Sequence, residues 1–214
     1  LGLTGTMAEG GLVAAAYGAT FAIIAVALIS GAVADRFKFV TWCVFVPVWT
    51  TVVYAPLAYM VWGGGLLSAD GAIGARLGEA LDFAGGLVVH ISAGGAALVL
   101  ALMLGKRHGF GVDPGHRPHN VPFTMLGAAL LWFGWFGFNG GAAGSADELG
   151  LIWVDTLAAG AAGMLGWVFV EWLRRGRPTS IGTASGIVAG LVAITPACAY
   201  VSPLGAVVIG LVSC

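Results

Sequence analysis

The stretch from Asp82 to Lys106, DFAGGLVVHISAGGAALVLALMLGK, decides the fold. About 22 of its residues are apolar or small, which is enough for a helix to cross a hydrocarbon core ~30 Å thick. Its interior holds one ionisable side chain, that of His90. A titratable group at bilayer depth is costly, so it normally faces a bundle interior or a water-filled path. We therefore predict a transmembrane helix that turns His90 towards the inside of a helical bundle.

His90 shares its helix face with small residues. Gly86, His90 and Gly94 follow one another at intervals of four, which places them on one side of a helix. Such a face either lets another backbone pack closely or leaves a narrow lumen open beside the imidazole. Asp82 lies about 12 Å before His90 along a straight helix, so the two side chains cannot touch. We expect Asp82 to cap the helix N-terminus, where a carboxylate accepts free backbone N–H groups.

The composition is that of a membrane protein. Of the 214 residues, 59% are hydrophobic and 9% are charged, whereas ordinary soluble domains carry about 25% charged residues. The 36 glycines favour close packing of helices within a membrane. The net charge of −1 argues against binding to nucleic acid. Three cysteines in apolar segments are expected to be buried thiols: Cys43, Cys198 and Cys214.

Apolar segments separated by polar loops predict an all-α polytopic membrane protein with about six full transmembrane helices and the start of a seventh. The predicted spans are residues 11–34, 39–62, 83–105, 121–139, 151–173 and 181–199, and the seventh begins at 202–203. Longer loops are predicted over 63–81, 106–120 and 140–150. The chain starts without Met and stops inside an apolar run, so we expect an internal fragment of a longer protein.

The basic residues predict the orientation in the membrane. Eight of the nine Lys and Arg residues lie in loops after the odd-numbered spans, and Arg76 alone lies on the other side. The loops after spans one, three and five are therefore predicted to be cytoplasmic. The loops over 63–81 and 140–150 are predicted to face outward.

Three aromatic residues are predicted to lie at or above the level of His90. Counted from the cytoplasmic end of each span, Trp62 lies about 35 Å up and Phe138 about 27 Å. Phe21 and His90 both lie at about 24 Å. If the rings converge, they form a vestibule that suits a small cation, because each aromatic face binds an ammonium-type cation by ~0.5–2 kcal/mol. A neutral imidazole could hydrogen-bond such a molecule or take a proton from it.

Six motifs occur in order over nearly the whole chain. They are FAIIAVALISGAVADRFKF, AYMVWGGGLLS, DFAGGLVVHISAGGAALV, RPHNVPF, GWFGFNGG and TASGIVAGLVAITPAC. In this set the chain resembles the ammonium transporter family (Amt/Mep/Rh), and DFAGG with His90 eight residues after Asp82 is its most specific part. Trp62 assigns the resemblance to the Amt/Mep branch.

The resemblance implies an architecture and a function. It implies an inverted-repeat helical bundle of eleven spans, of which residues 1–214 would cover the third to the start of the ninth. It further implies a homotrimer with one pore per subunit, transport of ammonium and methylammonium, and the bacterial inner membrane as location. The cytoplasmic loops could then meet a regulatory protein of the PII type. We expect no enzyme activity, metal or cofactor.

The resemblance also implies roles for single residues. Phe21 matches an external-gate phenylalanine, and Phe138 matches its stacking partner. Trp62 matches the recognition-site tryptophan, and Asp82 matches an aspartate needed for ion recognition or site integrity. His90 matches the first of two pore histidines, the second of which would lie beyond the last residue.

One position departs from the family pattern. Some members have Ser at the fourth position of the motif that here reads Asn139-Gly140-Gly141-Ala142, and its hydroxyl helps bind the cation. Ala142 removes that oxygen, so a lower affinity or a water in its place is expected.

Simpler interpretations of single residues stay open at this point. Trp62 could be an interfacial aromatic residue, and Asp82 a helix cap alone. Asp155 is expected to be an interfacial or helix-start carboxylate of the fifth span. Glu171 is expected to pair with Arg174 at i+3.

Two alternative functions also stay open. The protein could be an ammonium sensor that signals through a C-terminal region. A haem protein that uses His90 is poorly supported, because the other spans contain no second histidine. His108, His116 and His119 could suggest a metal cluster, but uncoordinated histidines of a polar loop are the preferred interpretation.

Overall fold

The structure, a computed structural model, describes residues 11–107, 109–111 and 118–214. These residues divide into two compact units. The first unit holds the described residues of Leu1–Ala80 and Leu87–Gly115, and the second holds those of Leu81–Gly86 and His116–Cys214.

Helices make up all the regular structure of the first unit that is described. They are α1 (Gly11–Val33), α2 (Phe39–Trp49), a π-helical segment (Thr50–Tyr54), α3 (Ala55–Trp62), α4 (Gly74–Leu77) and α5 (Ser92–Leu104). A second π-helical segment, Gly86–Ile91, starts in the second unit and runs directly into α5. The first three predicted spans are thereby confirmed, with bounds close to those expected.

α1 buries one stripe of side chains. The buried residues recur every four positions, which is one face of a helix, and they are Phe21, Ala25, Ile29 and Val33. α1 packs against α5 within the first unit. Its remaining surface is apolar as well, which is typical of a helix surrounded by lipid.

The second predicted span is continuous although it contains two prolines. Helical structure runs without a break from Phe39 to Trp62. Proline lacks a backbone N–H, and membrane helices tolerate it through local π-helical turns and through Ser or Thr side chains. The π-helical segment between Pro47 and Pro56 provides the first of these. The Thr51 hydroxyl donates to the Pro47 carbonyl at 2.8 Å, but that carbonyl is not one that either proline leaves without a donor.

Four helices make up the described regular structure of the second unit. They are α6 (Val121–Gly140), α7 (Ala146–Arg175), α8 (Ser180–Ile194) and α9 (Pro203–Val212). α7 packs against each of the other three and is the centre of this unit.

α7 begins earlier than predicted. The Ser145 hydroxyl accepts a hydrogen bond from the Glu148 N–H at 3.1 Å, and the Glu148 carboxylate accepts one from the Gly144 N–H at 2.6 Å. This pair forms a capping-box arrangement, Ser-x-x-Glu, that satisfies free donors at a helix start. The prediction of a loop up to residue 150 is therefore wrong over 146–150, because the cap outweighs the polar composition.

α8 ends at Ile194, whereas the sequence analysis extended this span to residue 199. Pro196 cannot donate a backbone hydrogen bond to continue the helix, and turns follow over 195–200. The 15 residues of α8 extend about 22 Å, which is less than a ~30 Å hydrocarbon core.

Glycines bring the backbones of the second unit into contact. A Cβ atom on Gly163 of α7 would lie 2.5 Å from the Gly186 carbonyl oxygen and 2.8 Å from the Gly190 Cα of α8. A Cβ on Gly190 or on Gly210 of α9 would meet the carbonyl oxygen of Ala159. Small residues at these positions are what lets membrane helices approach so closely.

Within residues 11–107, 109–111 and 118–214, five helical stretches are long and apolar enough to cross a membrane. They are Gly11–Val33, Phe39–Trp62, Gly86–Leu104, Val121–Gly140 and Ala146–Arg175. α8 and α9 are shorter apolar helices. The predicted class, an all-α polytopic membrane protein, is confirmed, with the sixth span shorter than expected.

The close contact at Gly163 can be tested with a matched pair of variants. We expect Gly163→Ala to destabilise the protein by about 1–3 kcal/mol, because the new methyl group meets backbone atoms that cannot move aside easily. Gly150→Ala, in the same helix, places its methyl group in open space and should be neutral or stabilising by up to about 1 kcal/mol. Thermal unfolding in detergent, followed by size-exclusion chromatography, measures both. Equal melting temperatures for the two variants would contradict the packing described here.

Candidate functional site

Asp82 begins the candidate site and is buried, with 5% of its surface exposed. Its Oδ1 atom accepts a hydrogen bond from the Gly85 N–H at 3.0 Å. The bond spans i to i+3 as in a helix cap, but it closes a bend that precedes the helix, because Gly85 has a φ of 103° and the π-helical segment begins only at Gly86. The neighbouring Phe83 N–H donates to the Pro196 carbonyl at 3.1 Å, which ties this stretch to the turns after α8.

Gly86 packs directly against Pro196. A Cβ atom at Gly86 would meet the Cβ, Cγ and Cδ atoms of that proline ring, so the position admits only glycine without a shift. At Gly94 a Cβ would meet nothing within 4 Å. The small-residue face predicted around His90 therefore contains a close contact at one end and open space at the other.

His90 lies near the end of the π-helical segment, where the sequence predicted a regular helix. The side chain is buried, with 8% of its surface exposed, and the adjacent Val88 and Val89 are fully buried. The Ser92 hydroxyl donates to the Val88 carbonyl at 2.5 Å. Single π-helical turns often occur at functional sites, and this one supplies an imidazole to a largely apolar setting.

Phe21 and Trp62 form an aromatic pair in the first unit. Their ring centroids lie 5.8 Å apart at an interplanar angle of 88°, an edge-to-face contact. Tyr17 makes a second edge-to-face contact with Phe21, at 4.8 Å and 77°. Phe21 is buried, whereas 44% of the Trp62 surface is exposed. The Trp62 indole therefore contacts an aromatic partner, while part of its surface stays accessible.

A glycine-rich turn holds Trp62 at the end of α3. The N–H groups of Gly63 and Gly65 both donate to the Tyr59 carbonyl, at 3.0 and 3.1 Å. A Cβ on Gly65 would lie 2.6 Å from the Met60 Cα, and Gly64 has a φ of 81° that favours glycine. These requirements explain why three glycines follow the tryptophan.

Phe138 belongs to the second unit, near the end of α6. Its ring lies 5.4 Å from that of Trp135, at 54°. The Trp135 indole N–H donates to the Thr195 hydroxyl at 2.9 Å, and this hydroxyl donates to the Leu191 carbonyl at 2.7 Å. The chain of contacts fixes Phe138 within its unit by way of α8.

Asn139 is a residue that the sequence analysis quoted only as part of a motif. It is fully buried, and its Nδ2 atom donates to the Thr156 hydroxyl of α7 at 3.0 Å. Within the described part of the chain its Oδ1 atom accepts no hydrogen bond. An asparagine at the end of an apolar helix, directly after Phe138, is the signal that could have identified it. Ala142, where some relatives have serine, follows α6 and is exposed.

Two carboxylates differ from their predicted surroundings. Asp155 was predicted near a helix start, but α7 begins at Ala146 and Asp155 is fully buried. Glu171 was predicted to pair with Arg174, but it contacts Arg175 at 3.4 Å instead. The Glu171 carboxylate also accepts hydrogen bonds from the N–H and the hydroxyl of Thr179, because the tight turn after α7 brings the start of α8 back to it.

The predictions for thiols and loop histidines have mixed outcomes. Cys198 is buried, but Cys43 and Cys214 are exposed, so the expectation of three buried thiols is wrong. Cys43 lies on a face of α2 that the rest of the chain does not cover. His119 is exposed, whereas His108 and His116 lie outside the described residues.

Comparison with known proteins gives a consistent result. The model of the Ammonium Transporter Family matches residues 3–214. The ammonium transporter of Mycobacterium tuberculosis is 53% identical over 192 residues, which cover 89% of this chain and 40% of that protein. The crystal structure of Saccharomyces cerevisiae Mep2 has a TM-score of 0.84 and 41% identity, covering 95% of this chain and 46% of that one.

A structure described as a sensor Amt protein has a TM-score of 0.79 and 34% identity, over 90% of this chain and 48% of that one. The present chain therefore spans less than half the length of each of these three relatives. The likeness confirms the expected partial ammonium-transporter fold.

The contact between Asn139 and Thr156 generates a stability prediction. Thr156→Val removes the acceptor and leaves a buried amide N–H without its partner, which should destabilise the protein by about 1–3 kcal/mol. Thr156→Ser keeps the hydroxyl, so we expect it to lower the free energy of unfolding much less. Melting temperatures of both variants in detergent test this, and a serine variant as unstable as the valine variant would show that the methyl group matters rather than the bond.

Proposed function

Because the chain belongs to the Ammonium Transporter Family, we propose that the full-length protein carries ammonium across a membrane, with methylammonium as a second substrate. The observation that carries this proposal is the likeness to ammonium transporters over almost the whole chain. The protein acts on this view as a transporter or channel and not as an enzyme.

Ammonium is recognised first at the pair formed by Phe21 and Trp62. The partly exposed indole offers a face to a cation, which contributes about 0.5–2 kcal/mol at such a site. Phe138 supplies a further ring from α6 in this proposal. Because Ala142 offers no hydroxyl group, the aromatic rings and water provide the contacts that a serine provides in some relatives.

Asp82 supports recognition by its charge and by its position. Its carboxylate is buried and accepts the Gly85 N–H, so its charge is held in a fixed place. A fixed negative charge in a medium of low dielectric constant attracts a cation over several ångströms. The same hydrogen bond stabilises the bend that precedes the helix bearing His90.

Beyond the recognition site the cation gives up a proton. A bare charge is penalised strongly in a narrow apolar passage, whereas neutral ammonia is not. His90, buried among apolar residues, accepts a hydrogen bond from ammonia or donates one to it, and it can relay a proton. The proton follows separately from the ammonia molecule.

The assembly and the location follow from the same family resemblance. We propose a homotrimer with one pore per subunit in a bacterial inner membrane. The basic residues at the predicted cytoplasmic side are exposed, which leaves them accessible to a regulatory protein of the PII type; they include Lys106, Arg107, Arg174, Arg175 and Arg177.

The role of Trp62 is tested by uptake of labelled methylammonium in cells that lack their own ammonium transporters. We expect Trp62→Leu to raise the KM for uptake about 2- to 30-fold, the loss of one cation–π contact. Trp172→Leu is the control, because Trp172 is similarly exposed but lies at the opposite end of its span. An unchanged KM in the Trp62 variant would contradict the recognition site.

The role of His90 is tested in the same cells. His90→Leu keeps the apolar volume but cannot transfer a proton, so we expect uptake to fall by roughly 100-fold. His119→Leu, in an exposed loop, should transport normally. If the His90 variant kept both the wild-type rate and the wild-type ion selectivity, the imidazole would have no part in proton transfer.

The likeness to the sensor Amt protein supports a second candidate function. In that case the full-length protein binds ammonium at the same residues and passes a signal to a region outside this sequence. Absence of uptake by protein shown to reach the membrane, together with ammonium-dependent signalling, would favour the sensor.

A further inference from the structure

Asp155 is a buried carboxyl group that the proposed transport mechanism does not use. It lies in α7 with none of its surface exposed. Ile152 and Ala159, one helical turn before and after it, belong to a buried cluster with Ile194, Cys198 and Ala206. Asp155 therefore lies on the side of α7 that packs against the turns after α8 and against α9.

Neither carboxyl oxygen has a hydrogen-bond partner among the described residues. Oδ1 and Oδ2 each expose less than 1 Å² and accept no bond from a backbone N–H or a side chain. This distinguishes Asp155 from Glu171 in the same helix, which is also buried but contacts Arg175 and Thr179.

The helices that pack against α7 supply no positive charge to Asp155. α6, α8 and α9 contain no charged residue. Arg174 and Arg175 are at the far end of α7, with Arg174 about 28 Å away along the helix axis.

An ionised carboxylate in this position would be unstable. Burying an unpaired charge costs many kcal/mol, and proteins avoid this by neutralising the group or by pairing it. No described cation of the second unit is placed to pair with it. The oxygens also have no accessible surface at which a metal or ammonium ion could bind. A proton is the one ligand that needs no additional space.

We propose that Asp155 is a proton-binding site inside the second unit and that it carries a proton at neutral pH. The bound proton comes from water and converts the carboxylate to a neutral carboxylic acid. Asp155 belongs to the second unit, whereas His90 belongs to the first. The site does not depend on the substrate proposed above.

The proposal is tested by infrared spectroscopy of the full-length protein in lipid vesicles, at neutral pH and without ammonium. A protonated carboxyl group has a carbonyl stretch that is resolved from the carboxylate and amide bands. We expect this band in the wild type and its loss in Asp155→Asn, which keeps the shape of the neutral acid. Incorporation of carbon-13 aspartate should shift the band in the wild type.

Two further variants make the assignment firm. Glu171→Gln removes a buried carboxylate that has an arginine partner, and it should leave the band in place. Asp155→Glu should retain a band that no longer responds to labelled aspartate, which decides the question if the asparagine variant does not fold. A wild type without the band, a band that survives Asp155→Asn, or a band unaffected by labelling would overturn the proposal. Because no transport is measured, a failure here is distinct from a failure of the transport function.

Discussion

Backbone contact between α7 and its neighbours is the constraint on which the second unit depends. Lipid tails are as apolar as leucine, so burial of apolar surface does little to hold helices together in a bilayer. Close van der Waals packing and interhelical hydrogen bonds are the interactions that hold the helices together instead. Gly163, Gly190 and Gly210 allow the close packing, because any Cβ there would meet backbone atoms of a neighbouring helix. The high glycine content is therefore the sequence feature that specifies how these helices pack.

Once the helices are this close, polar side chains between them are sealed from water and must find partners. Asn139 with Thr156 links α6 to α7, and Trp135 with Thr195 links α6 to the end of α8. Each bond is expensive to break in a medium that offers no replacement. Together they hold the end of α6, and with it Phe138. The position of a proposed site residue thus depends on polar contacts that lie behind it.

Much of the fold could be predicted from the sequence, because long apolar segments have few alternatives to a membrane helix. The buried position of His90 was also predictable, from an ionisable residue within an apolar helix. Asp82 was expected to cap that helix, but its hydrogen bond closes the bend before Gly86 instead. Asp155 was misplaced because the polar composition over 140–150 favoured a loop, whereas the Ser145 and Glu148 pair, a Ser-x-x-Glu helix-start signature, begins α7 at Ala146. The partner of Glu171 was missed because Thr179 lies across a turn. The pairing of Phe21 with Trp62 joins different helices, so spacing along one helix could not indicate it.

The interruption after α8 explains how the start of the helix bearing His90 is held. Pro196 lacks an N–H, so α8 cannot continue through it. The same proline offers its carbonyl to the Phe83 N–H and its ring to Gly86. In a regular helix that carbonyl would accept a hydrogen bond from an N–H of the next turn. It would then not be available to the Phe83 N–H. The break that shortens α8 is therefore what creates a binding surface for the stretch from Asp82 to Gly86. The π-helical segment begins at Gly86, so this contact lies at the residue where that segment starts.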